Sequence, residues 1–554
     1  MGAKVGEQAC FDYIVVGAGT AGCVLANRLC ASGATVCVLE AGPSDWHPFI
    51  HLPAGYVKTI YNKSLTWDFN VEPGPVVDRS FALPQGRVLG GSSSINGLSH
   101  VRGQQADYDS WAAAGNPGWS YAEVLPYFMR SERRIGPGDE HFRGRRGELP
   151  VTDPDWLLSV CENFIDGLQE LGIERTPDYN GATHAGSGYF QRAIHGGYRW
   201  SSAKAFLRPL RGNANLDIRT HAQATRILFE GRRAVGVEYR RGGVHGQPAV
   251  VRARREVILS AGAINSPRLL QLSGVGPREV IQDVGLPMVH ELPGVGRNLR
   301  DHYRVRMVAR LRGVRSINQI VRGPGLVREA VKWLFKKPCP FGVSASLVHV
   351  FCKSSPSVER PDIEGVFSPA SFRDGVIGVL DDYPGATLGI WQGRPESHGE
   401  IRLRSANPFE APLVQPNYLS DERDRRVLID GMRLGRQMLA SRAMAPYFDG
   451  ETVPGPDCQT DDEFLDFARE TGATVYHLVG TCRMGPAGQP GSVVDPALRV
   501  HGLDGLRVVD ASIMPTLPSV NTNASALMIG EKGADLVLGR SLRPVDALPA
   551  VPVQ

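Results

Sequence analysis

No stretch of the sequence approaches the roughly 18–20 apolar residues that a membrane-spanning helix needs. The first residues, MGAKVGEQACFDY, also lack the apolar core of a secretory signal. These two absences predict a cytoplasmic protein without a transmembrane segment. Peripheral contact with the inner face of a membrane stays open, because such contact needs only a surface.

A surplus of either charge and a pattern of paired cysteines are missing as well. The net charge is only +4 over 554 residues and no dense Lys/Arg run occurs, so we expect no nucleic-acid partner. The nine cysteines are odd in number, scattered and without a CxxC pair. This distribution argues against a disulfide framework and against a zinc site, and we predict no metal.

What the sequence does contain is a strand–turn–helix–strand pattern in residues 12–42. Gly17, Gly19 and Gly22 form G-x-G-x-x-G directly after a strand-like run and directly before a helical one. The first glycine permits the tight turn, the second lets the backbone approach a pyrophosphate, and the third lets the helix pack closely on the strand. Glu40 ends the second strand, where its carboxylate can accept hydrogen bonds from a ribose hydroxyl and disfavours the 2′-phosphate of NADP. The unit predicts a dinucleotide site without choosing between FAD and NAD.

The pattern of the remaining chain predicts an α/β protein with a second, α+β domain. We expect a Rossmann-like parallel-sheet domain from residues 1–302, which includes long ordered loops at 43–120. Residues 303–470 mix alternating strands with helical stretches and predict a substrate-binding domain of antiparallel sheet plus helices. Residues 471–540 then return to the nucleotide-binding domain, and 541–554 form a tail.

Residues 86–97, GRVLGGSSSING, combine two adjacent glycines with a run of hydroxyls. Such a segment could wrap a second part of a long cofactor. An ordinary Gly/Ser loop accounts for the composition equally well, so composition leaves both readings open.

The sequence resembles the glucose–methanol–choline oxidoreductase family over essentially its whole length, in particular its bacterial alcohol and choline dehydrogenase branch. The resemblance is carried by segments that occur in the family's order: GAGTAG with VLEAG, GRVLGGSSSINGLSHVRG, GAINSPRLLQLSGVG, PGVGRNLRDH, YHLVGTCRMG, and LRVVDASIMPTLPSVNTNASALMIGEKGADL. Several of them are long, so a chance match is negligible.

The resemblance implies FAD as the cofactor, with residues 86–97 lining the flavin and its pyrophosphate. Ala224 would lie near the adenine, and Asp510 with Ala511 near the ribityl chain and the phosphates. Some family oxidases attach the flavin to a histidine where this chain has Ile95, so we expect FAD to be held non-covalently. The predicted cofactor-binding residues are Gly17, Gly19, Thr20, Ala21, Gly22, Glu40, Ala41, Arg87, Gly90, Gly91, Ser92, Asn96, Gly97, Ala224, Asp510, Ala511, Asn521 and Thr522.

His477 and Asn523 are the predicted catalytic residues. Alcohol oxidation removes a hydride from carbon and a proton from oxygen, and a neutral imidazole is suited to accept that proton. A histidine in this apolar context is more often structural, but the resemblance places the family's catalytic histidine at His477. It likewise places the second active-site position at Asn523, although Asn521 or Asn523 could merely cap the helix that follows. His100 and His302 are interpreted as structural or cofactor-adjacent.

The expected activity is oxidation of a primary alcohol to the aldehyde, with electrons passed to a quinone-like acceptor. An oxidase that uses O₂ and releases H₂O₂ is the alternative. The family's flavin-containing lyases and photodecarboxylase, and a flavin protein with a structural role, are less favoured because the predicted catalytic pair supports oxidation. Because residues 303–470 show no obvious aromatic-and-acid cage for a quaternary ammonium, a neutral alcohol ranks above choline.

Overall fold

The computed structural model describes residues 9–373 and 376–545, so residues 546–554 of the predicted tail lie outside the described part of the chain. The first of its two large sheets contains the N-terminal strand–turn–helix–strand unit. In spatial order its strands are Leu216–Arg219, Val36–Leu39, Cys10–Val16, Pro248–Leu259, Arg233–Arg241 and Ala222–Glu230, and Leu506–Val508 also pairs with Pro248–Leu259. The first four strands and Leu506–Val508 pair in parallel, and the last two pair antiparallel.

The parallel part of this sheet is buried on both faces. All four residues of Val36–Leu39 and the last four of Cys10–Val16 are buried, as expected for β-branched runs covered by helices. Because a parallel strand pair requires a crossover, the helix Thr20–Ala31 lies against one face of the sheet. The carboxyl ends of Cys10–Val16 and Val36–Leu39 therefore meet at one edge, where the glycine turn and Glu40 begin.

The second large sheet is antiparallel throughout. Its strands in spatial order are Phe448–Val453, Tyr303–Leu311, Gly385–Gln392, Ile363–Ser368, Val348–Cys352 and Gly186–Tyr189, and Ala473–Thr474 also pairs with Tyr303–Leu311. The sheet thus recruits one strand from before residue 303 and one from after residue 470. The helix Ser159–Glu170 packs into the same apolar cluster as this sheet.

Smaller strands complete the sheet structure. They are Arg297–Leu299 with Gly399–Arg402 and Leu413–Gln415, Thr66–Val71 with Phe81–Gly86, Glu132–Ile135 with Leu149–Thr152, Ile194–His195 with Tyr198–Arg199, and Val275–Gly276 with His290–Glu291. The α-helices are Thr20–Ala31, Pro48–His51, Tyr56–Thr59, Gln105–Ala113, Tyr121–Ser131, Ser159–Glu170, Gly262–Leu272, Arg278–Asp283, Ile317–Ile320, Pro324–Leu334, Glu422–Leu439, Asp461–Thr471 and Asn523–Val537. The region 43–120, expected as long loops, therefore also contains a β-hairpin and a nine-residue helix.

The last helix, Asn523–Val537, packs directly on the first helix, Thr20–Ala31. A Cβ atom at Gly530 would lie 3.0 Å from the Ala21 Cα atom, so the two helix backbones touch. Buried Glu531 accepts hydrogen bonds from the guanidinium of Arg28 on the first helix and from that of Arg130. These contacts bring the beginnings of the two helices to the same place, although about 500 residues separate them in sequence.

Within residues 9–373 and 376–545, no helix is both long enough and apolar enough to cross a membrane. The same part of the chain holds no His/Cys/Asp/Glu group suited to a metal ion. All nine cysteines are free.

Candidate active site

A cavity of about 360 Å³ runs between the two large sheets. Val16 and Leu39 of the parallel sheet line one part of it, and Arg304, Val366 and Trp391 of the antiparallel sheet line another. The glycine turn lies at the first part and His477 at the second. The cavity is therefore long, with a nucleotide-like end and an end that carries an imidazole.

The glycine turn leaves its backbone open to the cavity. Gly17 has φ +99°, and a Cβ atom at Gly22 would lie 2.0 Å from the Gly17 carbonyl oxygen, so neither position accepts a side chain. A Cβ atom at Gly19 would come no closer than 3.8 Å to Ser260 O, so the turn itself leaves space there. The helix that starts at Thr20 has no side-chain cap. Its first N–H groups and its dipole are thus available to a diphosphate.

Glu40 lies beside this turn as predicted from its spacing. Its carboxylate accepts hydrogen bonds from the backbone N–H groups of Ala18 (2.9 Å) and Gly42 (2.8 Å), and burial raises its pKa to about 7. Hydroxyl donors from a ribose would favour the charged form of this buried group. The residue therefore fits the ribose role.

Residues 86–97 close over the glycine turn. The Gly90 N–H donates to Ala18 O (2.8 Å), and a Cβ atom at Gly91 would lie 2.7 Å from the Gly19 Cα atom. Asn96, further along, accepts hydrogen bonds from Arg199 Nη1 and from the Leu98 N–H, which orient its amide. The wrapping role of this segment is thus favoured over an ordinary Gly/Ser loop.

Most of the predicted cofactor-binding residues line the cavity. Those that do are Gly17, Gly19, Thr20, Ala21, Glu40, Ala41, Gly91, Ser92, Asn96, Gly97, Ala224, Asp510, Ala511, Asn521 and Thr522. Gly22 and Gly90 support the turn instead, and the Arg87 guanidinium lies 5.3 Å from the Trp67 ring centroid. Asp510 accepts hydrogen bonds from the Gly262 N–H, the Ser266 hydroxyl and the Ser512 N–H, so its carboxylate also holds the neighbouring turns together.

A chain of hydrogen bonds fixes which nitrogen of His477 carries its proton. His302 Nε2 lies 2.8 Å from the Gly393 carbonyl oxygen, and a carbonyl only accepts, so this nitrogen is protonated. Burial lowers the pKa of His302 to about 4, so the ring is neutral and its Nδ1 accepts a hydrogen bond. His477 Nδ1, 2.9 Å away, must therefore be the donor. This leaves His477 Nε2 without a proton and 3.1 Å from the amide nitrogen of Asn521.

The electrostatic surroundings keep His477 neutral. Burial, then His302 and Arg304, lower the pKa of His477 well below 6.5. Since the neutral imidazole is the form that accepts a proton, His477 is in its basic form at neutral pH.

The backbone that presents His477 is strained. Tyr476, the residue before it, has φ +67°, a conformation that costs a bulky residue of order 1–3 kcal/mol. Asp301 offsets this strain, because its carboxylate accepts hydrogen bonds from the His477 N–H (2.8 Å) and from the Thr474 hydroxyl, and Thr474 in turn accepts from the Tyr476 N–H. The position of the imidazole is thus determined by the Asp301 contacts.

Asn523 was predicted to act together with His477, but in the structure the amide next to the His477 imidazole is that of Asn521. Asn523 is the first residue of the last helix, and its Oδ1 accepts a hydrogen bond from the Thr20 hydroxyl (2.9 Å) at the start of the first helix. Asn521, two residues earlier, precedes the helix and reaches His477. Both amides line the cavity, but the geometry places Asn521 beside the base and Asn523 at the junction of the two helices.

Sequence reasoning missed the residues that surround His477. It left the role of His302 open, and it did not single out Asp301, Arg304 or Trp391. The Trp391 ring centroid lies 6.2 Å from that of His302 and 6.4 Å from that of His477. The segment NLRDH, which carries part of the resemblance, was the available signal for Asp301 and His302. His100 lies apart from the cavity-lining residues, in a buried cluster with Glu132.

The chain is similar to known proteins over nearly its full length. Two family models described as GMC oxidoreductase match residues 11–304 and 395–530. An alcohol dehydrogenase [acceptor] from Pseudomonas putida is 42% identical over 95% of this chain and 96% of its own length. An oxygen-dependent choline dehydrogenase from Brucella suis is 39% identical over 96% of each chain. Among solved structures, a formate oxidase variant from Aspergillus oryzae RIB40, described for its FAD modification, has a TM-score of 0.89 at 25% identity and covers 97% of this chain and 99% of its own.

The fold and the site together define a dinucleotide-dependent oxidoreductase. The chain belongs to the GMC oxidoreductase family. Its cofactor is FAD, which the open glycine turn, the buried Glu40 and the closing segment 86–97 fit. Ile95 lines the cavity with an aliphatic side chain, which offers no atom for a covalent bond to the flavin.

We expect Gly19→Ala and Gly22→Ala to separate cofactor affinity from folding. The methyl group of Gly19→Ala contacts no other part of the protein closely, but it occupies the position that a pyrophosphate would approach. This variant should therefore lower FAD affinity while apoprotein stability is retained. Gly22→Ala meets the Gly17 carbonyl and should lower both. FAD titration and thermal denaturation of the apoproteins measure the two effects, and equal loss of stability in both variants would contradict this assignment.

We also expect His302 to determine the tautomer of His477. In ¹⁵N-histidine-labelled protein, the His477 Nε2 resonance should be that of an unprotonated nitrogen. His302→Leu removes the acceptor and should shift this resonance toward the protonated position, whereas His302→Gln can restore an acceptor oxygen and should preserve it. The idea fails if His302→Leu leaves the His477 resonances unchanged.

Proposed function

We propose that this protein oxidises the CH–OH group of an alcohol to a carbonyl group, with His477 as the base and Asn521 as the residue that holds the substrate oxygen. The single observation that carries the proposal is the unprotonated Nε2 of His477, which faces the Asn521 amide inside the cavity. FAD supplies the acceptor for the hydride that leaves the carbinol carbon.

The two side chains would divide the proton chemistry between them. The substrate hydroxyl would donate its proton to His477 Nε2, the nitrogen that the His302 contact leaves free. Asn521 Nδ2 would donate a hydrogen bond to the oxygen as negative charge develops on it. The proton and the hydride together account for the two hydrogens removed, so the product of a primary alcohol is an aldehyde.

A primary alcohol is the substrate class we infer, in keeping with the relatives named alcohol dehydrogenase and choline dehydrogenase. A lyase or a photodecarboxylase is less well supported. Neither reaction removes a hydride from an alcohol, whereas both relatives named above are dehydrogenases.

We infer a quinone-like compound as the electron acceptor, with O₂ as the alternative. The bacterial relatives include both an acceptor-dependent alcohol dehydrogenase and an oxygen-dependent choline dehydrogenase, so names alone leave the choice open. A surface suited to a membrane supports the quinone, since long-chain quinones are dissolved in the bilayer.

The helix Pro324–Leu334 and the next residue, Phe335, carry this surface. Val327, Val331, Leu334 and Phe335 lie at helical spacing on one face and are 45–73% exposed. Contiguous exposed apolar faces of this kind mark interaction sites.

The flanking charges favour an anionic lipid surface over a protein partner. Arg322, Lys336 and Lys337 lie at the two ends of the helix. Its one acid, Glu329, is buried and paired with Arg328 and Lys332, so the exposed charge is positive. A basic helix with an unpartnered apolar face is typical of segments that lie in a membrane interface. We infer peripheral binding through this face.

Vesicle co-sedimentation tests the surface. We expect the holoprotein to sediment with vesicles that contain phosphatidylglycerol and not with purely zwitterionic ones. Leu334→Ser/Phe335→Ser should abolish this binding, because it removes the two most exposed apolar side chains of the face. Leu157→Ser, at an exposed leucine elsewhere, is the matched control. Unchanged binding of the double variant would exclude the helix as the contact.

Anaerobic flavin reduction tests the reaction itself. A primary alcohol should bleach the flavin of the wild-type protein, and Asn521→Ala should slow this step roughly 100-fold with little loss of FAD, because one donor to the developing oxyanion is removed. Asn523→Ala should instead lower FAD content and leave the rate per bound flavin nearly unchanged. The opposite result would restore Asn523 as the catalytic amide. If no alcohol bleaches the flavin, alcohol oxidation is excluded.

A further inference from the structure

Arg304 is a charged side chain inside the cavity, and no carboxylate of residues 9–373 and 376–545 forms an ion pair with its guanidinium. It lines the cavity together with Trp391 and His477. Its Nε and Nη2 atoms are buried and have no hydrogen-bond partner. Burial of an unpaired cation is costly, and buried charges in proteins are as a rule paired.

The position of Arg304 follows from the second sheet. It is the second residue of the strand Tyr303–Leu311 and pairs directly with Trp391, whose ring centroid lies 6.4 Å from that of His477. The aliphatic part of its side chain packs over Gly389, where a Cβ atom would lie only 3.0 Å from the Arg304 Cδ atom. Because alternate residues of a strand share a face, Arg304 and His302 lie on the same side, with Cα atoms roughly 7 Å apart.

Charges of the same sign dominate the surroundings of the guanidinium. Burial and Arg306 lower the pKa of Arg304 to about 9, and the hydroxyl-bearing rings of Tyr476, Tyr61 and Tyr56 are its other electrostatic neighbours. Burial raises the pKa of Tyr56 to about 12, so this hydroxyl is a neutral donor.

Carboxylates are located elsewhere in the cavity. Among the lining residues that the structure describes, the acids are Glu40 and Asp510. Both accept backbone hydrogen bonds at the nucleotide end, from Ala18 and Gly42 in one case and from Gly262 and Ser512 in the other. Neither is available to Arg304.

We propose that Arg304 binds an anionic group of the substrate, so that the physiological alcohol is a hydroxy carboxylate whose carboxylate and carbinol carbon are separated by a short apolar spacer. The inference rests on the proposed function and names its substrate class. An arginine guanidinium can bind a carboxylate through two parallel N–H donors, and Arg304 is the arginine that lines the cavity near His477. The apolar walls, which include Trp67, Phe69 and Ile60, suit the spacer. A quaternary ammonium alcohol such as choline is disfavoured, because its charge would meet that of Arg304.

Matched substrates test the proposal. The holoenzyme is assayed anaerobically with ω-hydroxy carboxylates of three to eight carbons, with their neutral methyl esters, and with choline. We expect the best acid to exceed its ester in kcat/KM by about 10- to 100-fold, the range of one charge-assisted hydrogen-bonded contact. Arg304→Met should remove this preference, mainly by raising KM for the acid, and Arg304→Lys should keep part of it. Arg304→Glu should reverse the charge preference, so that kcat/KM for choline exceeds that for the acid. Arg310→Met, on an exposed residue of the same strand, is the control.

A binding measurement separates substrate recognition from turnover. Hexanoate, which carries no hydroxyl, should perturb the flavin absorption spectrum of the wild type, with a Kd raised at least 10-fold in Arg304→Met. Equal turnover of acids and esters by the wild type would overturn the anion site while the proposed function stands. If Arg304→Met loses FAD or shifts the flavin potential with discrimination unchanged, the arginine serves the cofactor and the proposal is wrong. Absence of flavin reduction by every alcohol would instead refute the proposed function.

Discussion

The hydrogen bond between the rings of His302 and His477 connects the two halves of this molecule. His302 ends the segment that enters the antiparallel sheet, and His477 belongs to the last segment, which returns to the parallel sheet. The direction of this hydrogen bond depends on Gly393, which follows the strand Gly385–Gln392. Its carbonyl oxygen accepts a hydrogen bond from His302 Nε2, so the proton of His302 is on Nε2 and its Nδ1 is left as the acceptor. A backbone carbonyl next to the second sheet thereby determines which nitrogen of His477 is protonated.

The two sheets give the cavity two kinds of wall, one suited to a cofactor and one suited to a substrate. At the parallel sheet, the cavity wall is mainly backbone, because Gly17, Gly19 and Gly91 remove side chains and expose N–H groups to a diphosphate. At the antiparallel sheet, the wall is made of side chains that alternate along strands. A backbone-lined site can hold a cofactor without depending on particular side chains, whereas the side chains of a strand can change without disturbing the sheet.

How far the sequence predicted the site depended on the distance between the interacting residues. The glycine turn and Glu40 lie within 24 residues, and their spacing alone predicted that they lie side by side, as the hydrogen bond from the Ala18 N–H to Glu40 shows. The resemblance placed the catalytic amide at Asn523, whereas the amide within hydrogen-bond distance of His477 in the structure is that of Asn521. Which of two asparagines before or at the start of a helix reaches a distant side chain depends on tertiary structure that a local sequence does not contain. Arg304 was not singled out at all. Its proximity to His477 arises from strand pairing between Tyr303–Leu311 and Gly385–Gln392, which are about 80 residues apart, and no local pattern encodes that register.

The proximity of Arg304 to His477, the proposed base, has an electrostatic consequence for the proposed reaction. Arg304 contributes to lowering the pKa of His477, which keeps the imidazole neutral but also makes it a weaker proton acceptor. A substrate carboxylate that pairs with Arg304 would offset this charge, and the basicity of His477 would rise only once that substrate is bound. A neutral alcohol of the same length would leave the guanidinium uncompensated. The charge on the substrate would therefore contribute to the proton transfer as well as to binding, because Arg304 acts on the substrate and on the base within one low-dielectric cavity.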